Sequence, residues 1–120
     1  MVAGEIVHVE FPSADADRAQ KFWSGLFGWD FKDSGMPRMD YRIARVTENL
    51  GAAVFPSEDL SGHPHYYFLV EDIEASLAKV RELDGEAEQK TLIPGIGWFA
   101  LCKDSEGNAF PLFQANSSVA

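Results

Sequence analysis

Residues 8–28 read HVEFPSADADRAQKFWSGLFG, and residues 65–85 read HYYFLVEDIEASLAKVRELDG. A shift of 57 residues lays His8 on His65, Phe11 on Phe68, Asp15 on Asp72, Leu26 on Leu83, Gly28 on Gly85 and, further on, Pro37 on Pro94. These six identities fall among the 36 pairs from His8/His65 to Ile43/Ala100, and Met36/Ile93, Met39/Ile96 and Tyr41/Trp98 extend the match without a gap. Their positions carry more weight than their number. In each copy an aspartate stands where a helix needs an N-cap and a glycine where a helix closes, requirements that local chemistry imposes on each copy separately. Two similar modules are therefore expected.

Working outward, residues 5–11 (EIVHVEF) read as a strand, with β-branched and aromatic residues and an alternation that puts Ile6, His8 and Glu10 on one face and Val7, Val9 and Phe11 on the other. Asp15 caps a helix in which Ala16, Ala19, Phe22, Trp23, Leu26 and Phe27 form one apolar stripe to dock on the sheet, and Gly28 ends it. Residues 29–32 (WDFK), 41–46 (YRIARV) and 51–55 (GAAVF) offer three further strands, giving the order βαβββ. The second copy repeats it. Residues 65–70 are a strand, Asp72 caps a helix that Gly85 closes, and residues 86–91 (EAEQKT), 97–103 (GWFALCK) and 108–114 (NAFPLFQ) are strands. The DSEG stretch between the last two suits a tight hairpin.

The stretch PSEDLSGHP, rich in Pro, Ser and Gly, separates the copies, so module 1 spans about residues 4–56, a linker about 57–63 and module 2 about 64–115. At 120 residues and 46% hydrophobic content, the chain fits one α+β domain in which both modules share a core. A period this long with two copies favours face-to-face packing about a pseudo-twofold axis, with His8 and His65 near it. The tail after Gln114 is small and polar. A formal charge of −9 argues against nucleic acid, because no basic cluster is present to release phosphate counterions. A single cysteine, Cys102, with no recognisable signal peptide and no long apolar run, points to the cytoplasm and away from a membrane. Its apolar strand reads as housing an inert thiol.

The polar residues on strand faces raise the question of function. His8 and Glu10 share a face, and His65 and Tyr67 occupy the matching places in the second copy. If the helices cover the Val7 side, these four face the inner side of the sheet. A His-Glu-His group can bind a divalent metal or act as an acid/base pair, whereas a histidine on a half-buried strand is more often a hydrogen-bonded wall residue. Trp98, Phe99, Phe110, Phe113, Tyr41 and Tyr67 form an aromatic inventory able to stack a planar ligand, though aromatics in a small domain mostly serve the core. His63, in the linker, reads as solvated.

The stretch HVEFPSADADRAQKFWSGLFGWDF (residues 8–31) resembles the opening of vicinal oxygen chelate (VOC) proteins, the superfamily of glyoxalase I, bleomycin-resistance proteins and extradiol dioxygenases. IPGIGWFALCKDSEGNAFPLFQ (residues 93–114) looks like its characteristic close. The resemblance implies paired βαβββ modules forming a curved mixed sheet around a cavity, and a homodimer. It also implies metal ligands on the first and fourth strands of each module. His8 and His65 match the first-strand positions; the fourth-strand positions match Ala53 and Pro111, neither of which ligates through its side chain. Two of four expected ligands remain, with Glu10 as a substitute.

The reading that follows is a small-molecule-binding protein of the glyoxalase/bleomycin-resistance type, with no cofactor expected and a divalent metal possible. Its cavity would be lined by His8, Glu10, Ala53, His65, Tyr67, Trp98 and Pro111. The competing reading is a metal-dependent lyase, isomerase or dioxygenase using His8, His65 and Glu10, with Glu10 catalytic. A third, a structural or interaction domain, requires Phe55, Pro111 and Phe113 to fill the cavity.

Overall fold

Each helix begins where its aspartate caps it. In the computed structural model, which describes residues 2–57 and 64–116, the Asp15 carboxylate accepts from the backbone N–H of Arg18 and that of Asp72 from Ala75. Both cap residues are extended while the helix starts behind them, the geometry that satisfies an otherwise orphaned donor. Most of the expected linker, with His63, and the end of the tail lie outside the described residues.

The chain divides into two units, Val7–His65 and a second made of Met1–Ile6 with Tyr66–Ala120. The first runs β1 (Ile6–Ser13), α1 (Ala16–Phe27), β2 (Lys32–Asp33), β3 (Arg42–Arg45) and β4 (Gly51–Pro56). Its strand order is β2-β3-β4-β1, with β1 parallel to β4 and the other pairs antiparallel. The second runs β5 (His65–Leu69), α2 (Ile73–Glu82), β6 (Glu86–Ala87), β7 (Thr91–Ile93), β8 (Gly97–Lys103) and β9 (Ala109–Ala115). There β5 lies parallel to β9, β9 antiparallel to β8, and β8 antiparallel to both β6 and β7. In each unit the first strand is thus parallel to the last, so the class is α+β with βαβββ modules and mixed sheets. The repeat read from punctuation is a repeat of topology.

Each helix covers one sheet face. Under α1, Phe31, Ala44 and Val54 are buried with Phe11, Ala19, Trp23 and Trp29 against them. Under α2, Ile73, Leu77, Ala100, Cys102 and Leu112 form the core. Burial is the main stabilising term for such small units.

Four local expectations need correction. The α1 stripe docks through Ala16, Ala19 and Trp23, whereas Phe22, Leu26 and Phe27 stay more than half exposed. At about 100° per residue, Phe22 lies about 60° round the helix from Ala19, beyond the edge of the docked stripe. Residues 29–31 are not strand, because Trp29 and Phe31 pack into the aromatic cluster with Trp23. The expected strand 86–91 is split: Ala87 pairs with Cys102 and Thr91 with Phe99, so three residues face two on β8, a bulge.

The fourth concerns Gly85. Gly28 ends α1 in the left-handed region (φ 73°), but α2 ends at Glu82, and Asp84 takes the left-handed conformation (φ 69°). Gly85 is required instead by close approach: a Cβ there falls 2.6 Å from the Lys103 carbonyl oxygen and 2.8 Å from Val80 Cγ1. Gly85→Ala is expected to cost about 1–3 kcal/mol by overpacking. Gly25→Ala, in open space on α1, is expected to gain about 0.5–1 kcal/mol. Urea denaturation of the two variants checks the pair, and equal effects refute the packing argument.

Candidate functional site

Strand register fixes which side chains share the face of the first unit that α1 leaves uncovered. Phe11, Ala44 and Val54 point toward the helix, so by alternation His8 and Glu10 on β1 point the other way. Across the ladder His8 stands opposite Gly51 and Glu10 opposite Ala53. On the far side of β4, Gly51 pairs with Arg45 and Ala53 with Ile43. The strand position two before Ile43 is Tyr41, which therefore shares this face.

On it a continuous hydrogen-bonded chain forms. His8 Nε2 is 2.7 Å from the Tyr41 hydroxyl, which donates to Glu10 Oε2 at 2.6 Å, and Glu10 Oε1 is 3.0 Å from His65 Nδ1. With the Tyr41 proton directed at Glu10, its oxygen accepts from His8 Nε2–H, and His65 donates from Nδ1. These tautomers follow from the network. Phe55 flanks both the Tyr41 and His65 rings, with centroids 5.9 and 6.5 Å away. Glu10 is 8% exposed and Tyr41 is also buried, while the His65 side chain is 45% exposed. The chain thus runs from a buried carboxylate to an accessible imidazole.

The structure brings together His8, Glu10, Ala53 and His65 of the expected site residues. Ala53, wholly buried, lies beside Glu10. Tyr67 and Pro111 belong to the second unit, where one step before the Phe68–Leu112 pair sets them opposite each other. Tyr67 also lies against Phe99, ring centroids 6.4 Å apart. Trp98 departs from the expectation that it shares their face. It packs on the α2 side with the Leu77 cluster, and Lys90 sits 4.2 Å from its ring centroid. The parity of β8 puts Trp98 with Ala100 and Cys102, toward the helix. From sequence alone Tyr41 is the first residue of the strand 41–46 and one of an aromatic inventory, with no functional role of its own. Its alternation with Ile43 and Arg45 was legible, but not that this face meets His8.

A divalent metal, as the superfamily resemblance implies, does not fit these donors. The Tyr41 hydroxyl stands between His8 and Glu10, so the side chains bond one another rather than converge on one point. The β4 residues of this face, Gly51, Ala53 and Phe55, offer no donor, nor do Ala109, Pro111 and Phe113 of β9. Among the described residues no group of three or more His, Cys, Asp or Glu side chains is placed to hold a metal ion.

Comparison with known proteins is consistent with this architecture. The profile of the glyoxalase-like domain matches residues 7–113. The chain belongs to that family. A Mycobacterium bovis protein with a provisional glyoxylase name, CFP32, is 28% identical over 119 residues; the match covers 92% of this chain and 46% of that protein, so this glyoxalase-like domain spans about half its length. Two solved structures share the fold. Methylmalonyl-CoA epimerase from Mycobacterium tuberculosis superposes with a TM-score of 0.73 at 16% identity, over 97% of this chain and 93% of that one. A glyoxalase/bleomycin resistance/dioxygenase superfamily member from Vibrio splendidus gives 0.69 at 15%, over 92% and 98%.

Burial lowers the His8 pKa from its ordinary value of 6.5, with the Glu10 charge opposing the shift and the Arg45 charge adding to it. A histidine with a depressed folded-state pKa takes up its proton more readily when unfolded. Its contribution to stability is therefore fully present above 6.5 and is lost as pH falls below that value toward the folded pKa. The melting temperature is expected to decline over that window, and more steeply in the wild type than in His8→Asn. Identical slopes in pH-dependent melts rule out a depressed His8.

Proposed function

We propose that this glyoxalase-like domain is a metal-independent small-molecule-binding protein of the glyoxalase/bleomycin-resistance type, with residues 1–120 acting as one domain. Its ligand rests on the face that carries His8, Tyr41, Glu10 and His65. The observation that carries the reading is the Glu10 carboxylate, buried and bonded through both oxygens, to Tyr41 and to His65. A carboxylate so engaged is a fixed polar feature for a ligand to meet beside the apolar Ala53 and Phe55. It is poorly placed to neutralise a dication.

Protein purified without chelator is expected to contain well under one equivalent of Zn, Fe, Mn or Ni by elemental analysis. Added metal is expected to leave its melting temperature unchanged. Stoichiometric metal that disappears on His65→Ala overturns the reading in favour of a metal-dependent lyase, isomerase or dioxygenase using His8, Glu10 and His65.

One observation favours a second reading, proton-transfer catalysis. Glu10 at 3.0 Å from Nδ1 fixes the tautomer of His65 and leaves Nε2 as the basic atom on a side chain that solvent reaches. A carboxylate-oriented imidazole is acid/base machinery, and an epimerase, as one fold neighbour is named, must remove and return a proton.

The proposal extends to a cytoplasmic homodimer. A buried Cys102 thiol, its pKa pushed up chiefly by burial, suits a reducing compartment, and no helix among the described residues is long and apolar enough to cross a membrane. The dimer rests on the family resemblance and the need to cover sheet edges. Light scattering at micromolar concentration is expected to give twice the chain mass, and a strictly monomeric mass removes this part of the proposal.

A further inference from the structure

On β3 two arginines point to opposite faces and meet opposite fates. Arg42, on the α1 side, is saturated: Nε and Nη2 each lie 2.8 Å from a different oxygen of Asp40, and Nη1 lies 2.8 Å from Asp17 and 2.9 Å from Gln20. Arg45, three residues on and therefore on the other face, makes no ion pair with any described residue in a chain of formal charge −9. The carboxylate of its own face is unavailable, because Glu10 is bonded to Tyr41 and His65. Lys90 offers the same contrast in the second unit. It borders a cleft of about 450 Å³ with Trp98 and Arg81, but is spent on the Trp98 ring and on Glu74, 3.6 Å away.

Arg45 also stands beside a residue with no side chain. Arg45, Gly51 and His8 form one row across β3, β4 and β1, so the two side chains flank a residue that has none. A Cβ on Gly51 would fall 3.2 Å from His8 Nδ1 and 3.8 Å from Arg45 Nη1. Both nitrogens therefore lean over the same point above the glycine. Arg45 is exposed, so an anion bonded to its guanidinium from solvent lies beside the His8–Tyr41–Glu10 chain.

We infer that Arg45 is the anion-recognising group of the binding face, and that the ligand is a small molecule carrying a carboxylate or phosphate. The inference rests on the proposed binding role of this face and adds the chemical class of what binds. The planar fork of a guanidinium matches two oxygens of such a group, and the charge-assisted bonds are stronger than neutral ones. In a strongly acidic chain an anionic ligand needs a local cation to approach, and this face supplies one next to the polar chain.

The test is an NMR titration of isotope-labelled protein with phenylacetate, phenyl phosphate and the neutral phenylacetamide, following the Gly51, His8 and Tyr41 signals. At least one anion is expected to bind about tenfold or more tightly than the amide, as charged hydrogen bonds warrant. Whichever anion is preferred names the class. Arg45→Met is expected to erase the preference, and Arg45→Lys to retain part of it through the point charge without the fork. Gly51→Ala, whose methyl presses on His8 Nδ1 and touches Arg45 Nη1, is expected to weaken anion binding while Arg45 is intact. If all three probes shift these signals with equal affinity, or Arg45→Met and Arg45→Lys both leave the anion preference unchanged, the Arg45 inference fails and the binding reading stands. If none of the probes moves the signals at millimolar concentration, both fail.

Discussion

A carboxylate held away from water dictates the arrangement of the first unit. Leaving Glu10 buried without partners costs several kcal/mol, and the fold answers with two donors from distant parts of the chain: the Tyr41 hydroxyl and the His65 imidazole. Meeting that requirement fixes the start of β3, the beginning of β5 and the small residue at Ala53, since a larger side chain opposite Glu10 competes for the same space. His8 then joins through Tyr41.

Segregation of faces makes this possible. Trp23, Trp29, Phe11 and Phe31 gather under α1 in stacked and edge contacts with centroids 4.7 to 6.3 Å apart, and each such pair adds to the area it buries. With this aromatic load committed to the helix side, the opposite face carries the polar His8, Glu10, Tyr41 and Arg45 beside Ile43, Ala53 and Phe55. The alternation of β3 shows the consequence: Arg42 staples the sheet to α1 through Asp17 and Gln20, while Tyr41 and Arg45 turn toward His8.

Membership of the glyoxalase-like family and likeness to an epimerase and a superfamily protein establish the fold. Of the four metal-bearing positions that the resemblance points to, those of Ala53 and Pro111 hold residues that cannot ligate, and the histidines at the other two are tied into a hydrogen-bonded chain.

The sequence by itself determined the two βαβββ modules, because caps, alternation and glycines act over a few residues and are written locally. Asp15, Asp72, Gly28 and the strand 97–103 fall where reading the chain puts them. It also placed His8, Glu10 and His65 as the polar residues to watch, since parity along one strand is fixed by the pleat. What only the tertiary structure decided is which faces meet. Tyr41 as the bridge, Arg45 over Gly51, Trp98 turned to α2 and Gly85 pressed on the Lys103 carbonyl all depend on register between strands that are tens of residues apart. Periodicity assigns a residue to one of two faces, but the packing of helices on sheets chooses which of the two is covered.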